Sequence, residues 1–144
     1  MTRLFTIIGI CLLAAGFSAC THKSAVLPNT ANPSITTGNP ATGDWTVILY
    51  TNRGVDETPD FDGYVFTFSA NGVFTATRNT LSVNGNWTRT AANNLQELLL
   101  SISSATDGHL AELDETWVIS LMNDNNINLV DDSGHYELRF QKAQ

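Results

Sequence analysis

From Trp45 to Phe140 apolar residues recur at every second position in short runs, and turn residues separate the runs. A period of two marks strands with one buried face. The first run sets Trp45, Val47 and Leu49 on one face against Thr46, Ile48 and Tyr50 on the other. In the second, Tyr64, Phe66 and Phe68 oppose Val65, Thr67 and Ser69. Asn71-Gly72 reads as a tight hairpin into a third run, Val73 to Arg78. The fourth places Leu81, Val83, Gly85 and Trp87 against Ser82, Asn84, Asn86 and Thr88. Leu98, Leu100 and Ile102 form the fifth, and Trp117, Ile119 and Leu121 the sixth. Asp124-Asn125-Asn126 turns the chain into Ile127 and Leu129, and Ser133-Gly134 turns it again into Tyr136, Leu138 and Phe140. His109 to Asp114 is the one stretch that reads as a helical turn, just before the sixth strand.

Eight strands joined by hairpins leave exposed edges unless the sheet closes. About eight is also the number that closes into a small barrel. The expected fold is therefore all-β, a small antiparallel up-and-down barrel of eight strands. A two-sheet sandwich is the alternative, since it has the same period.

The N-terminus carries a different signal. Arg3 precedes the apolar run Leu4 to Leu13, and small residues lead to Cys20. This is the layout of a secretory signal peptide. The apolar stretch is too short to span a bilayer, which takes about 20 apolar residues. Phe17-Ser18-Ala19-Cys20 resembles the lipobox of bacterial lipoproteins, and that resemblance implies lipidation at Cys20. Acyl chains would then anchor the protein, each buried CH₂ contributing about 0.8 kcal/mol. Thr21, not Asp, follows the cysteine, which in such lipoproteins implies the outer membrane, facing the periplasm. The expected organisation is a signal peptide over 1–19, a lipidated cysteine with a flexible tether over 20–43, and a barrel over 44–142. Thr, Asn, Ser, Ala, Pro and Gly dominate the tether, including Pro28, Pro33 and Pro40. Such a coil spans roughly 25–30 Å.

Charge narrows the partners. The net charge is -7 and no Lys/Arg cluster occurs. Nucleic-acid binding needs such clusters, so no nucleic-acid partner is expected. The two cysteines are Cys11 and Cys20, and Cys11 leaves with the signal peptide. No internal disulfide is then available, and the domain relies on its apolar core.

Gly43-Asp44-Trp45 at the first strand resembles the Gly-x-Trp signature of lipocalins. The resemblance implies a Trp that closes one barrel end, with a basic residue of the last strand across it. Arg139 is the candidate partner of Trp45. A second Gly-x-Trp, Gly85-Asn86-Trp87, together with Phe66-Thr67-Phe68 before Asn71-Gly72, is similar to small lipocalin-like domains of lipoproteins in Bacteroidetes-type bacteria. The likeness covers about residues 43 to 142.

Trp45, Tyr64, Phe66, Phe68, Trp87, Trp117, Tyr136 and Phe140 are the candidate interior. They line a pocket for a small apolar ligand, or they fill the barrel. A filled barrel would act through loops or outer faces on another envelope protein. Asp56, Glu57, Asp60 and Asp62 share the loop after the first strand, which reads as solvated and not as a calcium site. His22, His109 and His135 lack ligand spacing, and no metal or other cofactor is expected. No nucleophile elbow, phosphate loop or dinucleotide fingerprint occurs, so the expectation is a binding protein, not an enzyme.

Overall fold

The structure, a computed structural model, describes residues 37–92, 95–102 and 108–144. Its strands are β1 (Asp44–Asn52), β2 (Val55–Asp56), β3 (Val65–Phe68), β4 (Val73–Arg78), β5 (Leu81–Ala92), β6 (Leu95–Ser101), β7 (Thr116–Met122), β8 (Asn126–Val130) and β9 (Tyr136–Lys142). All eight alternating runs are strands. The extra one, β2, folds back on the end of β1 through Arg53 and Gly54, both at positive φ. A single turn of helix, α1 (Gly108–Ala111), precedes β7, as the sequence predicts.

Apart from β2, each strand pairs antiparallel with its neighbours in the chain. β9 returns to β1, from Trp45 opposite Lys142 to Asn52 opposite Tyr136. That ladder joins the two ends of the sheet. The molecule is a closed eight-stranded barrel, and the sandwich is ruled out.

The core is a set of interlocked rings. Phe66 lies 5.8 Å from Phe74 and 5.3 Å from Phe140 between centroids. Phe68 lies 5.1 Å from Phe74 and 5.8 Å from both Trp87 and Phe140. These spacings are ordinary ring-packing distances. Ala76, Val83, Leu98, Leu100, Ile127, Leu129 and Leu138 are among the aliphatic residues buried with them. The outer face carries Thr75, Thr77, Asn84, Asn86 and Thr88. A barrel that spans a membrane reverses this arrangement, with an apolar band outside.

Two faces differ from the simple alternation. The β1–β9 register shifts between Val47 and Leu49, a bulge that inserts one residue. Trp45 therefore points inward as expected, but Tyr50 is buried in place of Leu49. The β7–β8 register shifts between Ile119 and Leu121 in the same way, burying Met122 in place of Leu121. In both strands the extra residue reverses the phase of everything after it.

Both ends of the barrel are covered. At one end the segment before β1 lies across the opening. Pro40 and Gly38 are buried, and the Gly38 N–H donates to the Met122 carbonyl over 3.4 Å. The tether, predicted over 20–43, thus gives up residues 37–43 to this cover. At the other end a 3-10 turn (Thr58–Phe61) and α1 insert Phe61, Leu110 and Leu113. His109 Nδ1 meets Asp60 at 3.2 Å between those two segments.

Candidate functional site

The expected site was the barrel interior. Trp45, Tyr64, Phe66, Phe68, Trp117 and Phe140 are buried there, and Trp87 and Tyr136 pack against the core while partly exposed. Of these rings, Tyr64, Phe66, Phe68, Trp87 and Phe140 are joined by direct ring contacts. Tyr64 also takes the Arg78 guanidinium over its face at 4.2 Å.

The expected pair of Trp45 and Arg139 does not form. Arg139 lies on the outer face opposite Leu49, and its Nε donates to Glu137 over 2.7 Å. The inward positions of β9 are Leu138, Phe140 and Lys142, so parity sends Arg139 outward. Trp45 instead donates its indole N–H to the Pro40 carbonyl over 2.8 Å. The basic residue level with it is Lys142, whose stem crosses Gly43. A Cβ on Gly43 would stand 2.7 Å from the Lys142 Cε, a contact the flexible lysine stem can relieve by moving aside.

Two open depressions lie outside the aromatic interior. One, of about 390 Å³, is formed by Asn125, Asn126, Gln141 and Lys142 beside the covered Trp45 end. The other, of about 330 Å³, opens at the opposite end. Asn52 at the end of β1, Tyr136 at the start of β9 and Trp117 at the start of β7 form one side of it. Ala111 at the end of α1, with Glu112, Asp114 and Glu115 between α1 and β7, forms the rest. The Trp117 indole donates to the Leu113 carbonyl over 3.2 Å and so holds the acidic segment against the barrel. The Asp114 carboxylate accepts from the Ile102 N–H at 3.1 Å. Glu115 accepts from the Thr116 N–H at 3.3 Å.

Tyr50 lies within electrostatic reach of Glu112 and Tyr136, two residues of this depression. Its ring meets Phe61 edge-on at 5.0 Å and the residue is fully buried. Among the described residues, neither its hydroxyl nor Oε2 of Glu57 makes a hydrogen bond of normal geometry. Burial raises the tyrosine pKa first of all, the charge and hydrogen-bonding reach of Glu112 raise it further, and the charge of Glu57 adds to this. Glu112 thus reaches the neighbourhood of the hydroxyl without closing a hydrogen bond of normal geometry. The alternation of β1 places Tyr50 outside, and only the bulge brings it here. The unbroken apolar run Val47-Ile48-Leu49-Tyr50 is the one sequence sign of that change of phase.

Among solved structures, a DUF4847 family protein from Bacteroides vulgatus matches with a TM-score of 0.54 at 15% identity. The match covers 73% of this chain and 96% of that one, and it shows a shared fold. No family model matches the sequence, and no curated protein matches it.

A third cluster has catalytic residue types in the wrong order. Ser133 Oγ contacts both the Asp131 carboxylate and His135 Nδ1, the latter at 2.9 Å. A hydrolytic triad needs the histidine between serine and carboxylate. Here the serine is in the middle, and Asp131 also accepts from the Tyr136 N–H at 2.8 Å. The cluster shapes the β8–β9 turn. His109 thus engages Asp60 and His135 engages Ser133, while His22 lies outside the described residues. Among the described residues, no group of three or more His, Cys, Asp or Glu side chains is placed to hold a metal. Cys20 lies outside the described residues.

Proposed function

We propose that this chain is a lipid-anchored envelope protein with a lipocalin-like barrel that binds through its outward end and not its interior. The observation that carries this reading is the division of labour between the two ends. Rings fill the space between them, while the chain enters across the Trp45 end and the acidic depression opens at the other. Acyl groups on Cys20 would be joined through residues 21–36 to the Trp45 end, so the anchor enters the barrel at the end opposite the depression. The carboxylates of the depression favour facing away from the membrane, because anionic headgroups repel them. Thr21 supports an outer-membrane position facing the periplasm. A binding role without catalysis is consistent with the broken order of Ser133, His135 and Asp131.

A carrier of a small apolar molecule in the barrel is the competing reading, and the packed interior weighs against it. Native mass spectrometry on protein extracted from its own envelope separates the two. The expected species lacks residues 1–19, carries acyl groups on Cys20 and holds no other apolar adduct. A stoichiometric apolar adduct released on denaturation would establish the carrier. An unmodified N-terminus would remove the anchor.

A further inference from the structure

We propose that the Trp45 end of the barrel is a peptide seat that reads Gly-Asn-Pro, and that residues 38–40 are its resident ligand. The depression at the other end takes no part in this seat.

Each residue of the tripeptide meets a different demand. Gly38 is buried, and both of its main-chain groups are used. Its N–H donates to the Met122 carbonyl and its carbonyl accepts from the Arg89 guanidinium, each over 3.4 Å. Gln96 accepts from the same guanidinium over 3.4 Å. A Cβ on Gly38 would stand 2.5 Å from the Asn123 carbonyl carbon, 2.6 Å from its oxygen and 2.7 Å from its Cα. All three are main-chain atoms that cannot swing aside, so only glycine passes. Asn39 is exposed, and its carboxamide oxygen accepts from the Ala41 N–H at 3.0 Å, turning the chain into the 3-10 turn Pro40–Thr42. Pro40 is buried and has no N–H to leave unpaired. Its carbonyl accepts from the Trp45 indole over 2.8 Å. The seat is thus a carbonyl on β7, a guanidinium on β5 and an indole on β1. Main-chain hydrogen bonds of this kind hold a peptide, and the close approach to Asn123 makes the seat selective.

The sequence offers the seat two candidates. Thr30-Ala31-Asn32-Pro33-Ser34 and Thr37-Gly38-Asn39-Pro40-Ala41 are near-copies seven residues apart. Within the tripeptide they differ only at the position that Asn123 crowds. The downstream copy brings glycine and is seated, whereas Ala31 would bring the Cβ that the seat excludes. A cover that merely lay on the barrel would accept either copy. A Gly-Asn-Pro segment of another chain would meet the same three groups, but the resident copy is joined directly to β1 and holds them at high effective concentration.

The three tryptophans provide the readout. Gly38→Ala, made in the protein expressed from the whole 144-residue sequence and purified in detergent micelles, should expel the resident copy. The Trp45 indole N–H resonance should then move, having lost the Pro40 carbonyl. Those of Trp87 and Trp117, bonded to Ser69 and Leu113, should stay in place and report that the barrel is folded. Titration with the synthetic peptide Thr-Gly-Asn-Pro-Ala-Thr should return the Trp45 resonance saturably toward its parent position. The peptide Thr-Ala-Asn-Pro-Ala-Thr, one methyl larger, should bind about tenfold more weakly. An unmoved Trp45 resonance in Gly38→Ala, no return with the glycine peptide, or equal affinity for the two peptides would overturn the proposal. If Gly38→Ala fails to fold, Ala31→Gly is added to it. The upstream copy then supplies the glycine, and the double variant should fold with a hydrogen-bonded Trp45 indole. A double variant no more stable than Gly38→Ala alone would equally overturn the seat.

Discussion

The Trp45 indole donates to the Pro40 carbonyl over 2.8 Å, so the first barrel strand holds down the segment that leads into it. The other two tryptophans act alike. Trp87 donates to the Ser69 carbonyl over 2.9 Å and Trp117 to that of Leu113 over 3.2 Å. Each indole binds a connection to the wall of the barrel. Trp45→Phe keeps a ring but leaves the Pro40 carbonyl without its donor. The expected loss is about 1–3 kcal/mol, read as a lower urea midpoint with unchanged slope. Limited proteolysis should also cut within residues 37–43 sooner than in the parent.

Gly85 marks a place where two strands come too close for any side chain. A Cβ there would stand 2.3 Å from the Ser101 carbonyl oxygen and 3.1 Å from the Ile102 Cα. Both are main-chain atoms, so the strands themselves must separate. Gly85→Ala should cost about 1–3 kcal/mol or more. Gly108→Ala, where a Cβ meets nothing within 4 Å, is the matched control and should leave the melting temperature nearly unchanged. Equal melting temperatures for the two variants would contradict the close approach.

Phe66 sits at the centre of the ring cluster and is fully buried. Phe66→Ala should lose about 3–5 kcal/mol, the range for a large ring removed from a packed core. A barrel with a ready cavity would lose less, since its walls already lack part of their contacts. The variant should also gain binding of a small apolar probe such as benzene, detected by calorimetry, while the parent shows none.

Asp131 gives the fold an acid-sensitive turn. Burial pushes its carboxyl upward, but hydrogen bonds from the Ser133 hydroxyl and the Tyr136 and Ser133 N–H groups outweigh it and hold the pKa below the usual range. A carboxyl lowered in the folded state binds its proton more readily when unfolded. Its contribution is therefore complete above the unfolded pKa of about 3.9 and is lost as pH falls through the lower folded value. Denaturant midpoints should fall below pH 4 in the parent. Asp131→Asn should be less stable at pH 7 and flatter across that acid range. Parallel pH curves would remove Asp131 as a cause.

Arg139 tests the outer face. Its ion pair with Glu137 is partly exposed on both sides. Such pairs contribute about 0–1 kcal/mol, so Arg139→Ala should melt within a few degrees of the parent. A large loss would return Arg139 to the role of a clamp on the barrel end.

The sequence by itself determined the strands. Side chains alternate across a strand by covalent geometry, so a half-buried sheet must write period two into its residues. Asn71-Gly72 and Ser133-Gly134 fix hairpins for an equally local reason, with Gly72 at φ +85° and Gly134 at φ +70°. The buried rings from Trp45 to Phe140 were legible on the same grounds. The tertiary structure decided everything that depends on one strand meeting another. The β1–β9 ladder chose barrel over sandwich, and its bulge turned Tyr50 inward. The parity of β9 sent Arg139 outward and left Lys142 level with Trp45. The outward depression draws on β1, β7, β9 and the segment after α1, which are distant in the chain. Its one legible sign was the acidic run Glu112, Asp114 and Glu115 just before Trp117. A run of carboxylates reads as solvated surface until closure of the sheet sets it against Tyr136, within electrostatic reach of the buried Tyr50.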